Sequence, residues 1–179
     1  MQKSPPEEYH IAWNLFVELR KETLESQKIR AQVIGFKITF ISTGIGIILS
    51  QQGKIPSTLL LIPAFAAIFF DLLIVSYSFS IKRIGHYCRK YLEPKIRTSC
   101  GLPVDFLLWQ EFLKNLKTRQ YFSQIGNVGI TCLALIPATL ALWKPFDPFI
   151  CVPLMSVLFC LFVYDVWSHF SVWKFHGEI

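Results

Sequence analysis

Apolar and polar residues in this chain come in long blocks rather than short alternations. Four blocks are apolar over about 20 residues, the length a helix needs to cross a bilayer at about 1.5 Å rise per residue. They cover 33–51, 57–80, 121–143 and 149–167. Asp71 is the one charged residue of the second block, and the third has none. The first includes Lys37 near its start and is rich in Ser, Thr and Gly, while the fourth has Asp165 near its end. A backbone in lipid must satisfy its own hydrogen bonds, so the blocks predict an all-α integral membrane four-helix bundle with four spans.

The polar blocks carry a helical period of their own. Ser4-Pro5-Pro6-Glu7 has the S-x-x-E capping form with proline at the first helical position, so a helix is expected to start there and run unbroken into the first span. This predicts a cytoplasmic amphipathic helix over 1–32. Glu18 with Lys21, Lys21 with Glu25 and Glu25 with Lys28 are spaced for ion pairs on its exposed face. Trp13, Phe16, Val17, Leu19 and Leu24 form an apolar stripe suited to the protein's own central segment, a partner helix or a membrane surface.

Beyond the second span, "IKRIGHYCRKYLEP" keeps the stripe through Ile81, Ile84, Cys88 and Tyr91 or Leu92, and Pro94 is expected to end the helix. The sequence then predicts a loop over 94–103 and a second amphipathic helix, "VDFLLWQEFLKNLKTRQYF", leading into the third span. Segment 81–120 is thus a basic helical segment, and 168–179 a short tail.

Charge gives the arrangement a direction. The chain has 179 residues, 53% of them hydrophobic and 17% charged, with mean hydropathy +0.43. Soluble domains carry about a quarter charged residues, so the composition favours a membrane protein in one small bundle, with no room for a separate catalytic module. Of the 18 lysines and arginines, Lys54 and Lys144 fall in the loops 51–57 and 143–148; the others lie on the opposite side of the predicted spans or, like Lys37, within one. Basic loops stay inside, so the expected topology is multi-pass in a cell (inner) membrane with both termini cytoplasmic. Residues 1–30 are charged throughout and lack the apolar core of a signal peptide. Lys82, Arg83, His86, Arg89 and Lys90 share one face, suited to anionic lipid headgroups; Arg83, His86 and Arg89 also suit a phosphate-bearing ligand.

Intramembrane polar residues supply the candidate chemistry: Lys37, Asp71, Asn127 and Asp165. Asp71 is 13 residues from Thr58 and Lys37 is 14 from Gln51, so both lie about 20 Å below the outer surface. A Lys37–Asp71 pair is expected, with Asn127 in the same layer and Asp165 nearer the inner surface, competing for Lys37 or pairing with a basic residue. The layer serves as polar glue between helices or as a gate whose opening breaks the pair. His10, His86, His169 and His176 are placed outside the spans, which argues against a histidine proton relay or haem ligation. Ser42-x-x-x-Gly46 and Ala134-x-x-x-Ala138 are spaced for close helix approach. Pro63, Pro137 and Pro153 fall at one depth, where they suit a hinge. Trp143, Trp167 and Trp173 suit interfacial belts.

No nucleotide-binding, metalloprotease or nucleophile-elbow motif is present, so no catalytic residue, metal or other cofactor is expected. The five cysteines (Cys88, Cys100, Cys132, Cys151, Cys160) have neither paired nor metal-like spacing and read as free thiols. The leading expectation is a non-enzymatic homo-oligomer, channel-like or membrane-perturbing, of the kind used in bacterial stress or defence and controlled from its cytoplasmic helices. A membrane anchor that recruits a soluble cytoplasmic partner is one alternative, and a small transporter using Asp71 is another. The expected partner surface is a bilayer with anionic headgroups, and no nucleic acid is expected.

Overall fold

The computed structural model describes residues 7–51, 56–101, 121–143 and 148–174. Nearly all of these are helical, and none is in a strand. Helix α1 covers Glu7–Ser50, 44 residues without a break. It contains no proline, and its glycines each cost only about 1 kcal/mol relative to alanine. The expected cap at Ser4 and Pro5 lies outside the described residues. Pro56 precedes a 3-10 turn, Ser57–Leu60, that leads into α2, Leu61–Tyr87. Pro63 sits in the first turn of α2, where a missing N–H costs no hydrogen bond. Helices α4, Tyr121–Trp143, and α5, Pro148–Lys174, complete the set, each with an internal proline, Pro137 and Pro153.

Two expectations need correcting. The chain does not leave the helix at Pro94: a π-helical turn, Cys88–Leu92, hands over to α3, Glu93–Cys100. The Glu93 N–H reaches back five residues to the Cys88 carbonyl, and this widened turn takes up proline at the first turn of the next helix. The helix stops instead at Gly101, whose φ of 62° is left-handed and whose N–H bonds the Arg97 and Thr98 carbonyls. The amphipathic helix expected after it, 104–122, lies outside the described residues except for Tyr121 and Phe122, which open α4. The second correction concerns the fourth block: α5 does not end near Trp167 but continues to Lys174, because "SHFSVWK" contains no breaker.

The chain divides into two compact units, Met1–Ile29 with Tyr77–Arg119, and Arg30–Ser76 with Gln120–Ile179. In the first, Ala12, Cys88, Leu92 and Ile96 are buried. Leu92, not Tyr91, continues the stripe, and Tyr91 lies exposed against Tyr87 at 5.4 Å between ring centroids. On α1, Phe16, Val17 and Leu19 are half-buried, whereas Trp13 and Leu24 are exposed. Tyr9, Trp13 and Phe16 stack along the helix, and Lys21 bonds Glu18 at 2.8 Å. Burial pushes the Cys88 thiol up to about 11; Glu93 adds to the shift and Arg20 opposes it.

The second unit is inverted relative to a soluble domain. Small residues fill the interior: Ala64, Ala67, Ala134 and Ala138 are fully buried, packed with Ile41, Leu60, Ile68 and Leu158. Ala134 and Ala138 therefore sit at a close approach, as their spacing predicts. Gly46 has open space around it, and the glycine near a neighbouring helix is Gly44, where an added methyl would lie 3.5 Å from Pro63 Cβ. Large apolar side chains face outward instead, among them Phe36, Phe69, Leu133, Leu140 and Phe159. Three helices are long and apolar enough to cross a membrane, Tyr9–Ser50, Leu61–Cys100 and Cys151–Val172; α4 contributes a shorter apolar stretch, Gln124–Leu140.

Candidate functional site: a buried charge layer

Every helix of the second unit places a polar side chain at its centre. On α4, Asn127, Thr131, Ala134 and Ala138 follow one another at helical spacing and are all buried, so the stripe that packs as alanine at one end becomes polar at the other. On α2 the buried stripe Ala64, Ala67, Ile68 leads to Asp71, and on α1 Lys37 precedes Ile41 by one turn. On α5, Asp165 and His169 stand four residues apart on one face. Lys37, Asp71, Thr131 and Asp165 are completely shielded from solvent.

Lys37 is the hub of the layer. Its Nζ donates to Asp71 Oδ1 at 2.7 Å, to the Asn127 backbone carbonyl at 2.6 Å and to Thr131 Oγ1 at 2.7 Å. An ammonium has three protons, so its donor capacity is filled. Thr131 accepts from Lys37 and donates its hydroxyl to Asp71 Oδ2, so each Asp71 oxygen is bonded. Three helices are thus fastened through one charged, self-satisfied knot, which is the condition under which an ion pair persists away from water.

Asp165 has no such arrangement. Neither of its oxygens has a hydrogen-bond partner, although the side chain is fully buried. The Asp71 carboxylate and His169 both face it, and His169 Nε2 lies 3.7 Å from Asp165 Oδ1 and 3.9 Å from Asp71 Oδ1. That nitrogen is also without a hydrogen-bond partner, as is the Asn127 side-chain Nδ2. Ligand atoms of Asp71, Asp165 and His169 all fall within 4.8 Å of one another. The layer therefore has two halves: a neutralised Lys37–Asp71 pair, and a carboxylate and imidazole that stand within ion-pair distance of each other without a hydrogen bond.

All four expected residues, Lys37, Asp71, Asn127 and Asp165, come together here. Asn127 does so through its main chain rather than its amide. Asp165 does not bond Lys37, because the lysine is saturated. Thr131 and His169 are additions. Thr131 stands one turn after Asn127, and His169 follows the predicted span 149–167 on the same continuous helix as Asp165. The other expected group, Lys82, Arg83, His86, Arg89 and Lys90, lies along α2 and the π turn of the first unit. There Arg83 and Lys90 are exposed and the rest half-buried, with Lys90 Nζ 5.7 Å from the Tyr91 ring centroid. No protein-family model, curated protein or solved structure matches the chain.

Proposed function

We propose that this chain is a channel-like integral membrane protein of four spans with both termini cytoplasmic, working as a homo-oligomer and latched shut by the Lys37–Asp71 layer. The carrying observation is the latch itself: a saturated lysine that ties α1, α2 and α4 through Asp71, Thr131 and the Asn127 carbonyl. Around it the unit turns apolar side chains outward, as lipid contact requires. The lopsided distribution of lysine and arginine supports the orientation.

In the closed state the pair is dry and neutral. Opening separates Lys37 from Asp71 and demands water for both, so a hydrated path and the loss of the pair are one event. Control comes from the cytoplasmic side, because α1 carries Lys37 on the same unbroken helix as its charged N-terminal half, and α2 carries Asp71 on the helix that ends in the basic segment. Anionic headgroups at Lys82, Arg83, Arg89 and Lys90 are the ligands this control surface suits. The unpartnered Asp165 favours one competing reading, a small cation-coupled transporter.

Ion flux into liposomes containing the purified protein tests the proposal. Wild-type protein should support flux without a counter-substrate, and Lys37→Met should raise it by about tenfold or more, the factor corresponding to a 1.4 kcal/mol bias toward the open state. No flux from the wild type or the variant would remove the channel reading, and substrate-dependent counterflow would establish the transporter in its place.

A further inference from the structure

We propose that Asp71, Asp165 and His169 form a binding site for a divalent transition-metal ion of the zinc, manganese or ferrous class. The inference builds on the reading of this layer as the functional centre, but it does not require conduction. The starting observation is a charge mismatch in the buried core. Lys37 and Asp71 cancel, and the Lys37 protons are all committed, so Asp165 faces its surroundings with no ammonium or hydroxyl donor on either oxygen. A fully shielded carboxylate without a donor persists only with a cation beside it or with its charge removed.

The neighbouring groups are those a metal takes. Asp165 and His169 lie one helical turn apart, a spacing that lets both side chains reach a common point, and Asp71 enters from a second helix. Ligand atoms on one ion with bonds of about 2.1 Å can be at most about 4.2 Å apart. The His169 nitrogen stands 3.7 and 3.9 Å from the two carboxylate oxygens, within that limit, and all three ligand atoms lie within 4.8 Å of one another, so a small shift of one carboxylate closes the site. Asp71 can serve as a ligand while bonded to Lys37 and Thr131, because its two oxygens offer about four lone-pair sites. The imidazole disfavours calcium and magnesium, which prefer oxygen alone, and the absence of a thiolate disfavours cuprous copper. Three protein ligands leave a coordination position for water or a substrate.

Lys37 and the ion share the Asp71 carboxylate, so metal binding pulls on the same group that latches the layer. Occupancy should loosen the Lys37–Asp71 contact, which makes the ion a ligand of the gate.

Cobalt(II) binding to full-length protein in detergent micelles tests the site without any flux measurement. The expected result is about one cobalt per chain, with the visible absorption of nitrogen- and oxygen-ligated cobalt, displaced by zinc and reversed by a chelator. Asp165→Asn and His169→Gln should each weaken it by more than about tenfold, while their metal-free circular dichroism matches wild type. A second readout needs no variant: zinc should raise the wild-type melting temperature as its concentration increases. Wild-type protein that binds no cobalt, and whose melt zinc leaves unmoved, would overturn the proposal; so would variants that fold and bind as tightly as wild type. Because micelles carry no gradient, failure here leaves the flux experiment to judge the channel by itself.

Discussion

Lys37→Met removes the hub of the layer while keeping an unbranched side chain one atom shorter, and its cost separates an ion-pair latch from ordinary polar contacts. The substitution deletes three hydrogen bonds and leaves Asp71, fully shielded, with the Thr131 hydroxyl as its donor. Removing one partner of a buried ion pair costs about 3–5 kcal/mol, because the survivor keeps its charge without compensation. Side-chain hydrogen bonds between membrane helices average only about 0.6 kcal/mol, with a maximum of about 1.7. Three such bonds at the average amount to about 2 kcal/mol, below the ion-pair range. Asp71→Leu should cost a similar amount for the mirror-image reason, an ammonium left without its carboxylate. The double variant Lys37→Met with Asp71→Leu should recover most of the loss, since replacing a whole buried pair by apolar groups is often neutral or stabilising by about 1–4 kcal/mol. Equilibrium unfolding in mixed micelles, followed by helical circular dichroism, gives the three free energies. The expected coupling is at least about 3 kcal/mol, beyond what neighbouring uncharged contacts show. Single variants that each cost less than about 1 kcal/mol and add without coupling would refute the reasoning, since Lys37 and Asp71 would then not be paired as ions.

Two further outcomes follow from the rest of the chain. Cys88, whose thiol is pushed up to about 11 from 9.0 by burial, should alkylate at pH 8 about 100-fold more slowly in the folded protein than in the unfolded chain, measured with Cys88 as the single remaining cysteine. The folded state holds that proton more tightly, so the stabilising contribution is complete below pH 9 and fades as pH rises through 11; equal folded and unfolded labelling rates would contradict it. Gly44→Ala should leave stability unchanged or raise it by up to about 1 kcal/mol, since the new methyl meets Pro63 at ordinary contact distance and alanine favours the helix. A loss of more than 1 kcal/mol in the same unfolding assay would mean that α1 and α2 pack more closely there than the structure shows.

Much of the site could be read along one dimension. Helical rise is constant, so counting from the predicted loop 51–57 places Lys37 level with Asp71, and the two bond at 2.7 Å. The same count brought Asn127 near. It did not show that Asn127 would contribute its carbonyl rather than its amide, because a helix carbonyl keeps a second lone pair whose use depends on what approaches it. Thr131 is not singled out by the sequence, because a threonine in an apolar run reads as neutral until a charge stands beside it. His169 lies just past the predicted fourth span, so the sequence does not join it to Asp165 in one cluster.

The sequence by itself therefore determined the long apolar helices, where the charges fall along them, and which residues lie level on neighbouring ones, since each of these depends only on local composition and a fixed rise. It also set the uneven distribution of basic residues between the polar blocks, from which the proposed orientation is argued. Helix rotation and helix pairing were decided by tertiary structure. Those settled that Lys37 spends its three protons on Asp71, Thr131 and Asn127, that Leu92 rather than Tyr91 turns inward after the π turn, and that Asp165 is left facing His169. The physical reason is that an ammonium can be satisfied once. Which acceptors win it depends on the distances between helices, and a linear pattern contains no distances across the bundle.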